Sequence, residues 1–172
     1  MRDASYGFLK NLLSIPGPSG HEGAAAEAWR TEAGKFAEVW GDRMGNSFAT
    51  LNGGGSPRVM LAGHIDEIGL MVTHVEDNGL LRFQGVGGWD PQVLVGQRVL
   101  VQTKSGEVPG VIGKKAIHVM EPDERKKVSE IKGLWIDIGA KDGDEAKEMV
   151  RVGDAGVLDQ DLVEFPHGRI SS

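Results

Sequence analysis

The sequence predicts an α/β protein: a partial α/β layer carrying an inserted, β-rich small domain. Three observations predict it. Residues 1–67 run helix, helix, strand. From about Ile68 the pattern changes to short strand-like pieces separated by turns, spaced roughly 8–12 residues apart. Glycine is abundant, at 26 of 172 residues, with no visible repeat period, so it marks many tight turns and hence many short strands. A β stretch set inside what reads as one continuous core is an insertion. The expected organisation is therefore 1–67 as the first part of the α/β domain, 68–162 as the insert, and 163–172 as the start of the return.

Ala4 to Ser14 reads as a helix with Phe8, Leu9, Leu12 and Leu13 on one side, stopped by Pro16-Gly17-Pro18. Ser19 and Glu22 then match a capping box, in which each side chain satisfies the other's free amide. The helix that follows carries Ala25, Trp29, Ala33 and Phe36 at helical spacing. Strands are expected at Ala37–Trp40, Ser47–Leu51 and Val59–Ala62, with turns at Asp42–Asn46 and Asn52–Gly55. The run Val59-Met60-Leu61-Ala62 is apolar on both faces, which suits a central strand covered by helices.

In the second part, strands are expected at Ile68–Val75, Leu80–Gln84, Arg98–Thr103, Val108–Ile112 and Leu134–Ile138, a pattern that suits a small barrel or a sandwich. One helix is expected near Asp142 to Val150. Val157-Leu158 and Leu162–Phe165 read as closing strands.

Composition excludes several function classes. The formal net charge of -6 argues against nucleic acid and anionic membrane as partners. There is no cysteine, so disulfides, thiolate nucleophiles and thiolate zinc sites are out, and any metal must be held by His, Asp or Glu. The N-terminal residues lead into no apolar signal core, and no run approaches the ~18 apolar residues of a membrane span. A cytoplasmic location is expected.

Chemistry concentrates at Gly63-His64-Ile65-Asp66, directly after the apolar run. At strand spacing the imidazole and the carboxylate point to the same side. A metal-bound imidazole needs a partner for its second ring nitrogen, and a nearby carboxylate is the usual one. His64 therefore reads as a metal ligand and Asp66 as the group that orients it; the bland alternative is a satisfied histidine at a strand end. Functional groups of open α/β sheets gather at the carboxyl ends of strands, where this pair is expected. Glu67 alternates away and reads as structural. His21 reads as a turn residue, His74 as a strand surface residue, His118 as structural or subunit-contacting, and His167 as structural. Trp89-Asp90-Pro91 is either an exposed anchor or a tryptophan packed under its own turn. The cluster Glu121 to Lys127, with Lys114 and Lys115, reads as a solvated charged loop.

Gly63-His64-Ile65-Asp66-Glu67-Ile68-Gly69 resembles the first metal motif of the tetrahedral dinuclear aminopeptidases, the glutamyl, lysyl and deblocking enzymes. Other segments fit in order: Pro18–Glu22, Asp42–Asn46, Gly87–Val99, Gly110–Gly113 with His118, Asp123–Lys127, Ile136–Ala140 and Val152-Gly153-Asp154. The resemblance covers essentially the whole chain. It implies a peptidase-type α/β layer interrupted by a β-barrel-like domain that helps subunits pair, two divalent metal ions (zinc, cobalt or manganese), and removal of N-terminal residues from peptides. By the family pattern His64 is a metal ligand and Asp66 its orienting partner. The bridging Asp, the catalytic Glu with a neighbouring Glu ligand, and a later Asp and His are expected downstream of Ser172. The chain alone is therefore expected to hold no tightly bound metal and to be inactive. A second possibility is a non-catalytic assembly module that still pairs through its β domain. A third, glycosidase chemistry, needs two converging carboxylates roughly 5–9.5 Å apart, and adjacent Asp66 and Glu67 should point apart.

Overall fold

Period-2 alternation of large apolar side chains builds most of the core. In the computed structural model, which describes residues 2–172, the inward positions Leu70 and Val72, Leu81 and Phe83, Val99 and Val101, Ile112, and Leu134 and Ile136 are all buried. They come from β3 (Gly69–Val75), β4 (Leu81–Val86), β5 (Arg98–Thr103), β6 (Gly106–Lys114) and β7 (Leu134–Asp137). With β8 (Ala155–Leu158) these strands form a closed barrel in the order β3-β4-β7-β6-β5-β8. Closure leaves no free sheet edge within the barrel.

The register is antiparallel throughout. Val72 faces Phe83, Leu81 faces Ile136, Ile112 also faces Ile136, and β8 closes the ring by placing Gly156 opposite both Leu70 and Val101. Gly156 suits this close approach, because a Cβ would stand 3.0 Å from the Leu100 carbonyl oxygen, tighter than ordinary van der Waals contact. Trp89 is half-buried against the core, and its indole N–H donates to the Gly69 carbonyl at 2.7 Å. Trp89 is therefore not an exposed anchor; it packs against the barrel core. A short helix, α3 (Pro91–Leu94), follows, with Asp90 accepting from the Gln92 amide at 2.9 Å and Leu94 buried.

The helix α4 (Gly143–Met149) starts where the sequence places it. Asp142 accepts the Glu145 amide at 2.9 Å, and Asp144 and Glu145 add negative charge to the first turn. Asp154, the one buried charged residue among the described residues, accepts the Arg151 amide at 2.9 Å and so ties the Val152-Gly153 turn to the start of β8.

The chain divides into two compact units, one running to Glu67 and resuming at Asp161–Ser172, the other Ile68–Gln160. The first contains α1 (Asp3–Leu13), α2 (Gly23–Ala33), the antiparallel hairpin β1 (Glu38–Gly41) and β2 (Ser47–Thr50), and the short hairpin β9 (Val163–Phe165) and β10 (Arg169–Ser171). The β1–β2 turn is set by Asp42, which accepts amides of Met44 at 2.9 Å and Asn46 at 3.0 Å, with Gly45 at φ +89°. These bonds, led by the Asn46 side chain, hold the Asp42 carboxyl below its ordinary value. No described helix is long and apolar enough to cross a membrane.

Three expectations are corrected. Val59–Ala62 is not a strand: Val59 is 79% and Leu61 94% exposed. A strand exists through its ladder partner, and among the described residues β1 and β2 pair only with each other. Leu162–Phe165 does not close the barrel; its strand β9 pairs with β10. The Ser19–Glu22 capping box does not form. Helix α2 begins at Gly23 without a side-chain cap, and Glu22 instead accepts the Gly20 amide at 2.5 Å.

Candidate metal-ligand site

His64 and Asp66 lie on the extended segment between β2 and β3. The His64 Nδ1 is 3.0 Å from the Asp66 Oδ1 and 3.0 Å from the Asp66 backbone oxygen. A carboxylate and a carbonyl only accept, so we assign the Nδ1 as the protonated nitrogen that donates to them. The lone pair of the neutral ring then sits on Nε2. With 85% of the His64 side chain exposed, that edge faces open solvent. An imidazole with one N–H fixed by a carboxylate and the other nitrogen free is the form in which histidine binds metals.

Asp66 is held in turn. Its Oδ2 accepts a hydrogen bond from the Ser19 hydroxyl. That bond, partly opposed by desolvation and assisted by His64, lowers the carboxyl below its ordinary value.

Ser19 reaches this position because the backbone around it is clamped to the neighbouring residue, Glu67. The segment 17–19 runs parallel to Glu67 through an isolated bridge at Pro18. Ser19 N–H donates to the Glu67 carbonyl at 3.1 Å, and Glu67 N–H donates to the Gly17 carbonyl at 2.9 Å. The Glu67 carboxylate accepts the Gly17 amide at 3.0 Å. Pro18 is fully buried, and a Cβ on Gly17 would touch the Ala25 Cβ at 3.4 Å. Sequence reasoning missed this use of Ser19. Its separation from Asp66 by 47 positions gives no local signal, and its position just ahead of a helix reads first as a cap.

The remaining candidates lie elsewhere. His74 lines a shallow recess with Glu76, Asp77 and Asn78. His21, His118 and His167 are exposed. The charged loop is solvated, with exposed pairs Lys115–Glu124 at 2.7 Å and Lys126–Asp123 at 3.3 Å. Asp66 and Glu67 are engaged by different partners, Ser19 and His64 for one and the Gly17 amide for the other, so they do not converge on a shared point.

As a donor set the site fits one ligand of a metal ion rather than a complete sphere. Among the described residues no group of three or more His, Asp or Glu side chains is placed to hold a cation. A catalytic zinc takes about three protein ligands.

Comparison with known proteins gives one consistent result. The sequence profile of the M42 glutamyl aminopeptidases matches residues 45–172. The lysyl aminopeptidase of Pyrococcus furiosus is 34% identical over 174 aligned residues, covering 96% of this chain and 49% of that protein. The crystal structure of a TET aminopeptidase from a marine-sediment Thaumarchaeota archaeon superposes with a TM-score of 0.92 at 40% identity, covering 97% of this chain and 48% of that one. The TET1 peptidase of Pyrococcus horikoshii, described as assembling into a tetrahedron or a large octahedral shell, superposes with a TM-score of 0.81 at 36% identity over 92% of this chain and 47% of its own. The chain spans about half the length of the relatives it matches.

Proposed function

The chain belongs to the M42 glutamyl aminopeptidase family, and from that membership we propose that it forms the N-terminal portion of a dinuclear metal-dependent aminopeptidase that removes N-terminal residues from peptides. His64 supplies one metal ligand through Nε2, and Asp66 orients its ring through Nδ1. The observation that carries this assignment is the His64 Nδ1–Asp66 contact at 3.0 Å, with the opposite edge of the ring open.

In the complete site two divalent ions, zinc, cobalt or manganese, would polarise the scissile carbonyl and acidify a water. What these residues contribute is narrower. Asp66 keeps the proton on Nδ1, and Ser19 holds the carboxylate in place. By itself the chain brings one imidazole to a reaction that needs several ligands and a general base, so it is inactive alone. The purified chain, given zinc, cobalt or manganese and assayed with amino-acid anilides, is expected to show no turnover above the metal blank. Turnover that disappears in His64→Ala would contradict this.

The description of a neighbour as assembling into a tetrahedron or a large octahedral shell supports a homo-oligomer; placing the pairing on the barrel unit follows from the family resemblance alone. The second possibility is an assembly module without chemistry of its own. Light scattering on the chain is expected to give a dimer or larger; a clean monomer at high concentration removes the pairing role. Neither nucleic acid nor membrane is a partner in this proposal, and a cytoplasmic location goes with it.

A further inference from the structure

We propose that Ser19 is a positioning residue for the metal-ligand pair: its hydroxyl holds one oxygen of Asp66 while the other oxygen holds the His64 ring. The inference rests on His64 being a metal ligand, as proposed above, and extends that assignment one residue outward.

The geometry makes Ser19 more than an incidental neighbour. Asp66 sits on an extended segment with about a third of its side chain exposed and no regular ladder beside it. Left alone, such a carboxylate turns about its side-chain bonds between staggered wells. Two contacts stop it: His64 Nδ1 on Oδ1 and Ser19 Oγ on Oδ2. His64 is itself exposed and, among the described residues, is held only by Asp66, so it cannot serve as the fixed point. Ser19 can. Its backbone is tied to Glu67 by the amide–carbonyl bond at 3.1 Å, and the next-but-one residue, Gly17, is tied by two more. The fixed end of the relay Ser19–Asp66–His64 is therefore the serine. Outer partners of metal-binding histidines contribute roughly 10–100-fold to metal affinity or activity. A group one step further out should lie near or below the lower end, about tenfold or less.

The test is NMR on the full chain, with Zn2+ as the probe. In the wild type the Hα–Hβ couplings of Asp66 are expected to report a single rotamer. In Ser19→Ala they move toward rotamer-averaged values, and the Zn2+ concentration that half-shifts the His64 ring protons rises severalfold. Ser19→Thr, which keeps the hydroxyl, restores both. Hydrogen exchange at the Ser19 and Glu67 amides stays unchanged across the three proteins, which separates positioning from loss of the local fold. Averaged Asp66 couplings already present in the wild type, unchanged couplings in Ser19→Ala, or faster amide exchange without rescue by threonine would each overturn the role of Ser19. Failure of the His64 protons to respond to Zn2+ in the wild type would instead overturn the ligand assignment, while the couplings still decide whether Ser19 fixes Asp66.

Discussion

His64→Ala is expected to abolish peptide hydrolysis when this chain serves as half of a complete peptidase. The setting that isolates it is a graft in which the chain replaces the matched half of the Pyrococcus furiosus lysyl aminopeptidase, to which it is 34% identical. On the proposed assignment the substitution removes one of the donors that would hold the ion, and among the described residues no group of three or more His, Asp or Glu side chains is placed to hold it instead. The loss in kcat/KM should exceed the roughly 10–100-fold that outer partners of such histidines contribute. Asp66→Ala should fall within that range, because the Asp66 backbone oxygen still accepts the Nδ1–H. The ordering is the test: His64 largest, Asp66 intermediate, and His74→Ala, set on the barrel surface, without effect. A His64→Ala graft that folds and keeps most of its activity would contradict the ligand assignment.

Leu81→Ala is expected to cost about 3 kcal/mol of stability, within the range for emptying a leucine site in a close-packed core. Leu81 is 0% exposed and lies at a junction of the barrel, paired with Val75 on β3 and with Ile136 on β7. A strand pinned on both sides cannot collapse freely into the space left, so the cavity persists. For a unit of this size the change corresponds to a fall in melting temperature of roughly 10–20 °C. Urea unfolding followed by tryptophan fluorescence measures it, since Trp89 and Trp135 sit in the same unit. A loss below about 1 kcal/mol would mean the site closes up, and that the barrel is looser than its packing suggests.

Much of the barrel was legible because its information is local. Leu70-Val72, Leu81-Phe83, Val99-Val101 and Leu134-Ile136 alternate at period 2, and turn residues such as Asn78-Gly79 and Ser105-Gly106 separate the strands. What alternation does not carry is which strands meet, so by itself it leaves barrel and sandwich open; the family resemblance implies a barrel, and β8 standing between β3 and β5 closes it. Val59–Ala62 misled for the same reason. Its side chains have the character of a central strand, but strand formation is a property of pairs, and the described residues offer this run no ladder. At the site, His64 and Asp66 were legible because they are two positions apart. Ser19 was not, since the contact that defines its role spans 47 positions and its immediate surroundings suggested a helix cap.

Everything proposed about function depends on His64 Nε2 binding a metal while Nδ1 stays on Asp66. The most direct measurement is an anomalous-difference map from zinc-loaded crystals of the graft. The expected result is a metal peak about 2.0–2.1 Å from His64 Nε2, with the Asp66 carboxylate still against Nδ1 and the Ser19 hydroxyl still against Asp66. A fully occupied metal site with His64 outside bonding distance, or bound through Nδ1 with Asp66 turned away, would contradict the account.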